Sequence, residues 1–148
     1  MKIVILVPIY NDWKSISKLL EDINSNVSGL DCNFSIIIVN DASTEEQSIY
    51  ATNLENIQSI KIINMKENKG HARCIAAGLK HIFEKEEFDY VIPMDGDGED
   101  RPEEIKNFFE HINYTPNRTI VGERVKRSES LFFKLCYNFH KIITFTFT

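Results

Sequence analysis

Two apolar runs, the second interrupted only by Ser35, constrain the fold of this chain more than any other feature. Residues 3–7 and 34–39 are rich in β-branched side chains. Such runs are typical of strands that are covered on both faces, as in a parallel sheet. Residues 60–63, 88–94 and 119–122 are predicted as three further strands, the last of them the fifth.

Most segments between the strands have the spacing of amphipathic helices. One helix is predicted from Trp13, one opening at residues 68–70 and one starting near Pro102, whereas residues 45–56 have a weaker helical pattern. The stripe expected on the helix after residue 70 consists of Ala72, Ile75, Ala76, Leu79, Ile82 and Phe83, and the small residues 76–78 suit close packing on a sheet. This alternation predicts an α/β fold, a three-layer α/β/α sandwich with a mostly parallel central sheet and right-handed crossovers.

Size and composition narrow the class of protein. A chain of 148 residues is one domain in size, and its net charge of -5 argues against a general nucleic-acid binder. The three cysteines are far apart in sequence and have no metal-ligand spacing, which favours reduced thiols in the cytosol. No apolar run is long enough to span a bilayer, and residues 1–7 are interpreted as a buried strand, since Pro8 ends the run too early for a signal peptide.

An acidic turn follows the fourth predicted strand. Asp95, Asp97 and Glu99 alternate with glycines, which let the backbone bend so that the carboxylates can converge. Oxygen ligands favour Mg²⁺ or Mn²⁺ over zinc. The equally open alternative is a solvated acidic loop whose side chains only cap the helix near Pro102.

Two other polar turns fall at the same predicted edge of the sheet, where ligands bind in parallel α/β folds. Asn11 and Asp12 follow the first strand, and Asn40, Asp41 and Ser43 follow the second. Each one alone is typical of a turn or a helix cap, and only their convergence favours a binding site.

Other candidates are less specific. His71 is predicted to be a solvated residue of the first helical turn or, as the alternative, a contact to an anion. Arg124, Lys126 and Arg127 form a basic cluster of the kind that handles phosphates beside a metal. The sequence has no Walker loop, no G-x-G-x-x-G after the first strand and no G-x-S-x-G elbow. P-loop proteins, dinucleotide-binding proteins and hydrolases with a nucleophile elbow therefore lose their usual support.

Four segments, taken in order, resemble family 2 glycosyltransferases of the GT-A fold. Residues 7–12 (VPIYND) resemble the V-P-x-Y-N-E opening of the family, residues 38–43 (IVNDAS) its V-D-D-G-S, residues 68–79 its N-x-G helix start, and residues 94–97 (MDGD) its D-x-D. Within that family, residues 99–103 (EDRPE) are similar to the Q-D-P-P-E of dolichyl- and polyprenyl-phosphate sugar synthases. Residues 122–128 likewise resemble their G-x-R segment.

The resemblance implies a role for each motif residue. It places the base and ribose of a nucleotide-sugar donor near Pro8, Tyr10, Asp12 and Asp41. It places Asp95 near the ribose and diphosphate, and the metal on Asp97 and Glu99. Arg124 would face the acceptor phosphate, helped by Arg127 or Lys134, and Asp100 is the candidate base for a hydroxyl acceptor.

The implied reaction is an inverting, metal-dependent transfer from a UDP- or GDP-sugar to a polyprenyl phosphate or a saccharide. Residues 1–123 would form the catalytic core, and residues 124–148 a basic segment and the start of an amphipathic helix, interpreted as lying on a membrane surface or packing on protein. This implies a cytoplasmic location at the inner face of the membrane.

Two departures from the family pattern keep other functions open. Asn40 stands where the family usually has an aspartate, and the chain ends where such enzymes continue. The alternatives are a non-catalytic nucleotide-binding or scaffold module and, ranked last, a nucleotidyltransferase.

Overall fold

The computed structural model describes residues 1–116 and 118–122. Its elements follow one another as β1 (Lys2–Ile9), α1 (Trp13–Val27), β2 (Asn33–Asn40), β3 (Ile57–Asn64), α2 (His71–Lys85), β4 (Tyr90–Pro93) and α3 (Glu104–Tyr114). The chain divides into two compact units, Met1–Asn117 and Arg118–Thr148, and all seven elements lie in the first.

The four strands form one parallel sheet in the order β3-β2-β1-β4. Ile5 in the middle of β1 lies opposite Ile36 of β2 and Ile92 of β4. The two central strands are buried along almost their whole length, as their apolar runs predict. The predicted α/β fold with a parallel sheet is confirmed.

Helices cover both faces of the sheet. On one face, alternate residues of β1 and β2 pack with Cys74 and Ile82 of α2. On the other face, α1 buries its apolar stripe, with Ile16 lying close to Val7 where both approach Gly96, and α1 also contacts α3. This arrangement gives the three layers that the sequence predicts.

The buried face of α2 differs from the predicted stripe. Cys74, Gly78 and Ile82 face the sheet, whereas Leu79 is 40% exposed and Phe83 is 80% exposed. Ala72 and Ala76 are exposed too. The predicted stripe was wrong at these four positions, because it ranked residues by hydrophobicity, and right at Ile82. The close approach of α2 to the sheet requires small side chains, and the expectation that Gly78 suits close packing is confirmed. An added Cβ at Gly78 would lie 2.4 Å from Leu6 Cδ1.

The helix predicted over residues 45–56 is absent, and that segment is an irregular connection. Its backbone is tied to α1 by hydrogen bonds: Tyr50 N donates to Ser17 Oγ at 3.0 Å, and Asn56 N donates to Asn24 Oδ1 at 2.8 Å. These side-chain contacts replace the internal hydrogen bonds of a helix.

The strand predicted over residues 119–122 is also absent. Val121 is 82% exposed there, and a β-rich segment becomes a strand only where a neighbouring strand supplies hydrogen bonds. The predicted C-terminal helix and basic cluster lie outside the described residues. Within residues 1–116 and 118–122, none of the helices has the length and apolar character needed to cross a bilayer.

Candidate functional site

A cavity of about 380 Å³ opens at the carboxyl ends of β1 and β4. Ligands bind at this edge in parallel α/β folds, and the volume suits a small molecule. Its lining comes from the end of β1 and the loop after it, the first residue of α2 and the acidic turn: Pro8, Ile9, Tyr10, Asp12, His71, Asp95, Gly96 and Asp97.

The cavity brings together five of the residues to which the sequence assigned a role: Pro8, Tyr10, Asp12, Asp95 and Asp97. Three others, Asp41, Glu99 and Asp100, are not among its lining residues. Arg124, together with Arg127 and Lys134, lies outside the described residues. His71, for which the sequence left an anion contact only as the alternative, also lines the cavity.

Asn11 braces the loop that carries Tyr10 and Asp12. Its backbone has a left-handed φ of 59°, and its N–H donates to Ser43 Oγ at 2.9 Å. Its side-chain Oδ1 accepts hydrogen bonds from Thr44 N at 2.7 Å and from Glu45 N at 3.1 Å. Asparagine tolerates left-handed backbone better than most residues, so its presence in a turn was the available signal for this brace.

Tyr10 and Asp12, on either side of Asn11 in the sequence, both line the cavity. Asp12 Oδ1 accepts from Ser15 N at 3.2 Å and so caps α1. Tyr10 follows the buried strand β1 directly and is itself 49% exposed. An exposed ring on a braced loop offers a flat apolar surface to a ligand.

Asp41 has a different position from the one expected of a donor contact. Asp41 is 3% exposed, and its two carboxylate oxygens accept hydrogen bonds from Lys69 N and Gly70 N, both at 2.8 Å. These bonds join the end of β2 to the chain just before α2. Asp41 therefore fixes the position of His71, which begins that helix.

Asn40 also has a structural role in the described residues. Its Oδ1 accepts from Ser43 N at 2.9 Å, and its Nδ2 donates to Asn64 Oδ1 on β3 at 2.8 Å. The amide thus supports the turn and the neighbouring strand, and it lies away from the cavity lining. The missing negative charge at this position removes no carboxylate from the cavity.

The acidic turn is held by its own carboxylates. Asp95 N donates to Asp100 Oδ2 at 2.8 Å, and Glu99 N donates to Asp97 Oδ1 at 2.9 Å. Gly96 allows close packing, since an added Cβ would lie 3.0 Å from Ile16 Cδ1 and 3.3 Å from the Pro8 carbonyl oxygen. The acidic turn therefore packs closely against the end of β1 and against α1, and this contact joins the two walls of the cavity.

The electrostatic environment of Asp95 disfavours its charged form. Burial raises the pKa of the Asp95 carboxyl, and the negative charges of Asp100, Asp97 and Glu99 raise it further. The His71 imidazole lowers the pKa of Asp95, because Nε2 lies 3.3 Å from Oδ1 of the carboxylate. A cation placed in the cavity would stabilise the charged carboxylate in the same way.

The carboxylate oxygens in the cavity fit a divalent cation that also binds a ligand there. Within the part of the chain that the structure describes, no three acidic, histidine or cysteine side chains converge as a complete metal site. Asp95 and Asp97 nevertheless line the cavity together. Mg²⁺ typically binds one or two carboxylates and takes its remaining ligands from substrate phosphates and water.

Ala42, next to Asp41, has a left-handed φ of 57° where the V-D-D-G-S pattern has glycine. We expect Ala42→Gly to raise the free energy of unfolding by about 0.5–1 kcal/mol, because relief of the left-handed strain exceeds the added chain entropy of glycine. Urea denaturation measures the change. The control, Ala77→Gly inside α2, is expected to lower the same free energy by about 1 kcal/mol. Equal losses in both variants would contradict strain at Ala42.

Comparison with known proteins identifies the family. The family model for glycosyl transferase family 2 matches residues 4–144. The undecaprenyl-phosphate 4-deoxy-4-formamido-L-arabinose transferase of Proteus mirabilis is 28% identical over 136 residues, which are 90% of this chain and 40% of that protein. The dolichol-phosphate mannosyltransferase of Pyrococcus furiosus is 27% identical over 126 residues, 85% of this chain and 34% of that one.

Solved structures share the fold. The crystal structure of S. aureus TarS 1-349 in complex with UDP-GlcNAc superposes with a TM-score of 0.59 at 20% identity, covering 86% of this chain and 39% of TarS 1-349. The chain thus spans well under half the length of these relatives. Because the family model matches almost the whole sequence, this chain belongs to glycosyl transferase family 2.

Proposed function

We propose that this chain is the donor-binding part of an inverting, metal-dependent glycosyltransferase that uses a UDP- or GDP-sugar. The observation that carries the proposal is the cavity between β1 and β4, which combines the exposed Tyr10 ring with the carboxylates of Asp12, Asp95 and Asp97. A flat apolar surface beside an oxygen-rich end suits a nucleoside joined to a metal-bound diphosphate.

In this proposal each wall of the cavity has its own task. Pro8 and Tyr10 contact the base, and Asp12 lies on the ribose side. Asp95 and Asp97 hold Mg²⁺ or Mn²⁺ together with the donor diphosphate, and Glu99 stays a predicted further ligand. When bound, the cation would neutralise the charge that develops on the leaving nucleoside diphosphate.

Asp41 contributes by positioning. Its buried carboxylate holds the backbone that leads into α2, so the cavity wall beside His71 stays in place while the donor binds. A preformed wall reduces the ordering cost of binding. We therefore assign Asp41 to support of the donor site and leave direct contact with the base to Tyr10 and Pro8.

The proposed acceptor is a polyprenyl phosphate. Two relatives are named for transfer to undecaprenyl phosphate and dolichol phosphate. A phosphate acceptor is already an anion and needs no general base, whereas a saccharide hydroxyl does. Asp100, the candidate base, accepts a hydrogen bond from Asp95 N and so helps to close the acidic turn. Because this carboxylate already has a structural role, we favour the phosphate acceptor, which needs no base.

Arg124, with Arg127 or Lys134, stays the predicted contact to the acceptor phosphate. The amphipathic pattern of residues 124–148 supports an assignment to the cytoplasmic face of a membrane. A saccharide acceptor remains the alternative within the same family.

Donor binding tests the proposal directly. We expect UDP or GDP with Mn²⁺ to raise the melting temperature of the 148-residue chain, because a ligand that binds only the folded state stabilises it. Asp97→Ala should remove the metal-dependent part of that shift, while Asp31→Ala, at an exposed position outside the cavity, should retain it. A chain that binds neither diphosphate with either metal would overturn the proposal.

A turnover assay distinguishes a glycosyltransferase from a non-catalytic nucleotide-binding module. Sugar transfer from a nucleotide sugar to polyprenyl phosphate by this chain would exclude the non-catalytic nucleotide-binding module. Binding without transfer, together with loss of binding in Asp97→Ala, would support that module instead.

A further inference from the structure

We propose that His71 is a positioning residue for the donor diphosphate, with an imidazole that contacts a phosphate oxygen in the cavity. This inference rests on the proposed function and adds a residue to it. The observation that carries it is the juxtaposition of His71, Asp95 and Asp97 around one cavity.

The position of His71 is fixed from two sides. Its backbone follows Lys69 and Gly70, whose N–H groups are held by the buried Asp41. Its imidazole Nε2 lies 3.3 Å from Asp95 Oδ1. The side chain is 59% exposed, so these contacts, and not packing in the core, direct it to the cavity.

The lining of the cavity offers few hydrogen-bond donors to a diphosphate. Asp12, Asp95 and Asp97 are acidic, and Pro8, Ile9 and Gly96 have no polar side chain. Among the described lining side chains, only the Tyr10 hydroxyl and the His71 imidazole can donate a hydrogen bond. A diphosphate that enters beside three carboxylates needs such donors, and the His71 imidazole supplies an N–H next to Asp95.

A cation shared by Asp95 and Asp97 does not replace this contact. The cation would take phosphate oxygens on the side of the acidic turn, whereas His71 approaches from the start of α2, where the helix dipole also favours an anion. Two contacts from different directions fix the orientation of a diphosphate better than one.

Calorimetry with a nucleoside and its diphosphate isolates this contact. We expect His71→Ala to weaken the binding of UDP or GDP, whichever the wild-type chain prefers, about tenfold in the presence of Mn²⁺. Binding of the matching nucleoside, uridine or guanosine, should be unchanged, because it lacks phosphates. His71→Gln keeps a hydrogen-bond donor and is expected to restore part of the loss.

The control is His111→Ala, which removes an exposed imidazole from α3, outside the cavity, and is expected to leave both affinities unchanged. Equal loss of nucleoside and diphosphate binding in His71→Ala would overturn the inference, as would no loss at all. If the wild-type chain binds neither UDP nor GDP, the proposed function fails together with the inference. If the wild-type chain binds and His71→Ala binds equally well, the inference alone fails.

Discussion

Replacing Asp41 with alanine is expected to lower the free energy of unfolding by about 3 kcal/mol, because two backbone N–H groups lose a charged acceptor. Asp41 is 3% exposed, and its carboxylate accepts from Lys69 N and Gly70 N, both at 2.8 Å. Urea denaturation followed by circular dichroism measures the loss. The same change is expected to weaken nucleoside diphosphate binding, since the start of α2 forms part of the cavity.

Two further variants separate charge from geometry at this position. Asp41→Asn keeps one acceptor oxygen and is expected to lose about half as much stability as Asp41→Ala. Asp31→Ala removes an exposed carboxylate and should change stability by less than about 0.5 kcal/mol. If Asp41→Ala were as stable as the wild type, the buried carboxylate would not be what holds α2 to β2.

Gly78→Ala is expected to lower the free energy of unfolding by about 2 kcal/mol, although alanine is the better helix former by about 1 kcal/mol. The new Cβ would lie 2.4 Å from Leu6 Cδ1 and 2.8 Å from Val39 Cγ2. Both neighbours are fully buried and Val39 is β-branched, so the surrounding core has little room to relax. Chemical denaturation of the variant measures the change.

A double-mutant cycle tests the cause of this loss. Leu6→Val shortens the side chain that the new Cβ would meet, and alone it is expected to cost about 1 kcal/mol. Combined with Gly78→Ala it should cost less than the two single changes together, because the steric conflict is relieved. A strictly additive result would show that the conflict with Leu6 is not the source of the instability.

The parallel sheet was predictable because its evidence is local. Residues 3–7 and 34–39 are apolar on both sides, and the structure extends these runs by only a few residues to β1 and β2. The cavity lining was partly predictable for a related reason. Polar residues that follow such strands must meet at one edge of a parallel sheet, and Tyr10, Asp12 and Asp95 do so.

The errors arose where long-range contacts decide the structure. The small size of Gly78 did indicate close packing, but only the structure shows that the sheet comes so near that Leu79 and Phe83 are excluded from the buried face of α2. Residues 45–56 are irregular, and side chains of α1 accept hydrogen bonds from Tyr50 N and Asn56 N. The bonds from Lys69 N and Gly70 N to Asp41 also join distant segments, while a donor contact of Asp41 stays a prediction from the resemblance.

The order of the strands has a consequence for synthesis on the ribosome. β4 pairs with β1, and its start is joined to the beginning of β1 by the bond from Lys2 N to Asp89 Oδ2, two residues that lie 87 positions apart. One wall of the cavity is therefore made early, and the other is made only after β4 has left the ribosome. If the cavity binds a nucleotide as proposed, a nascent chain can hold it between these walls only after β4 has paired with β1, so nucleotide binding would report that pairing.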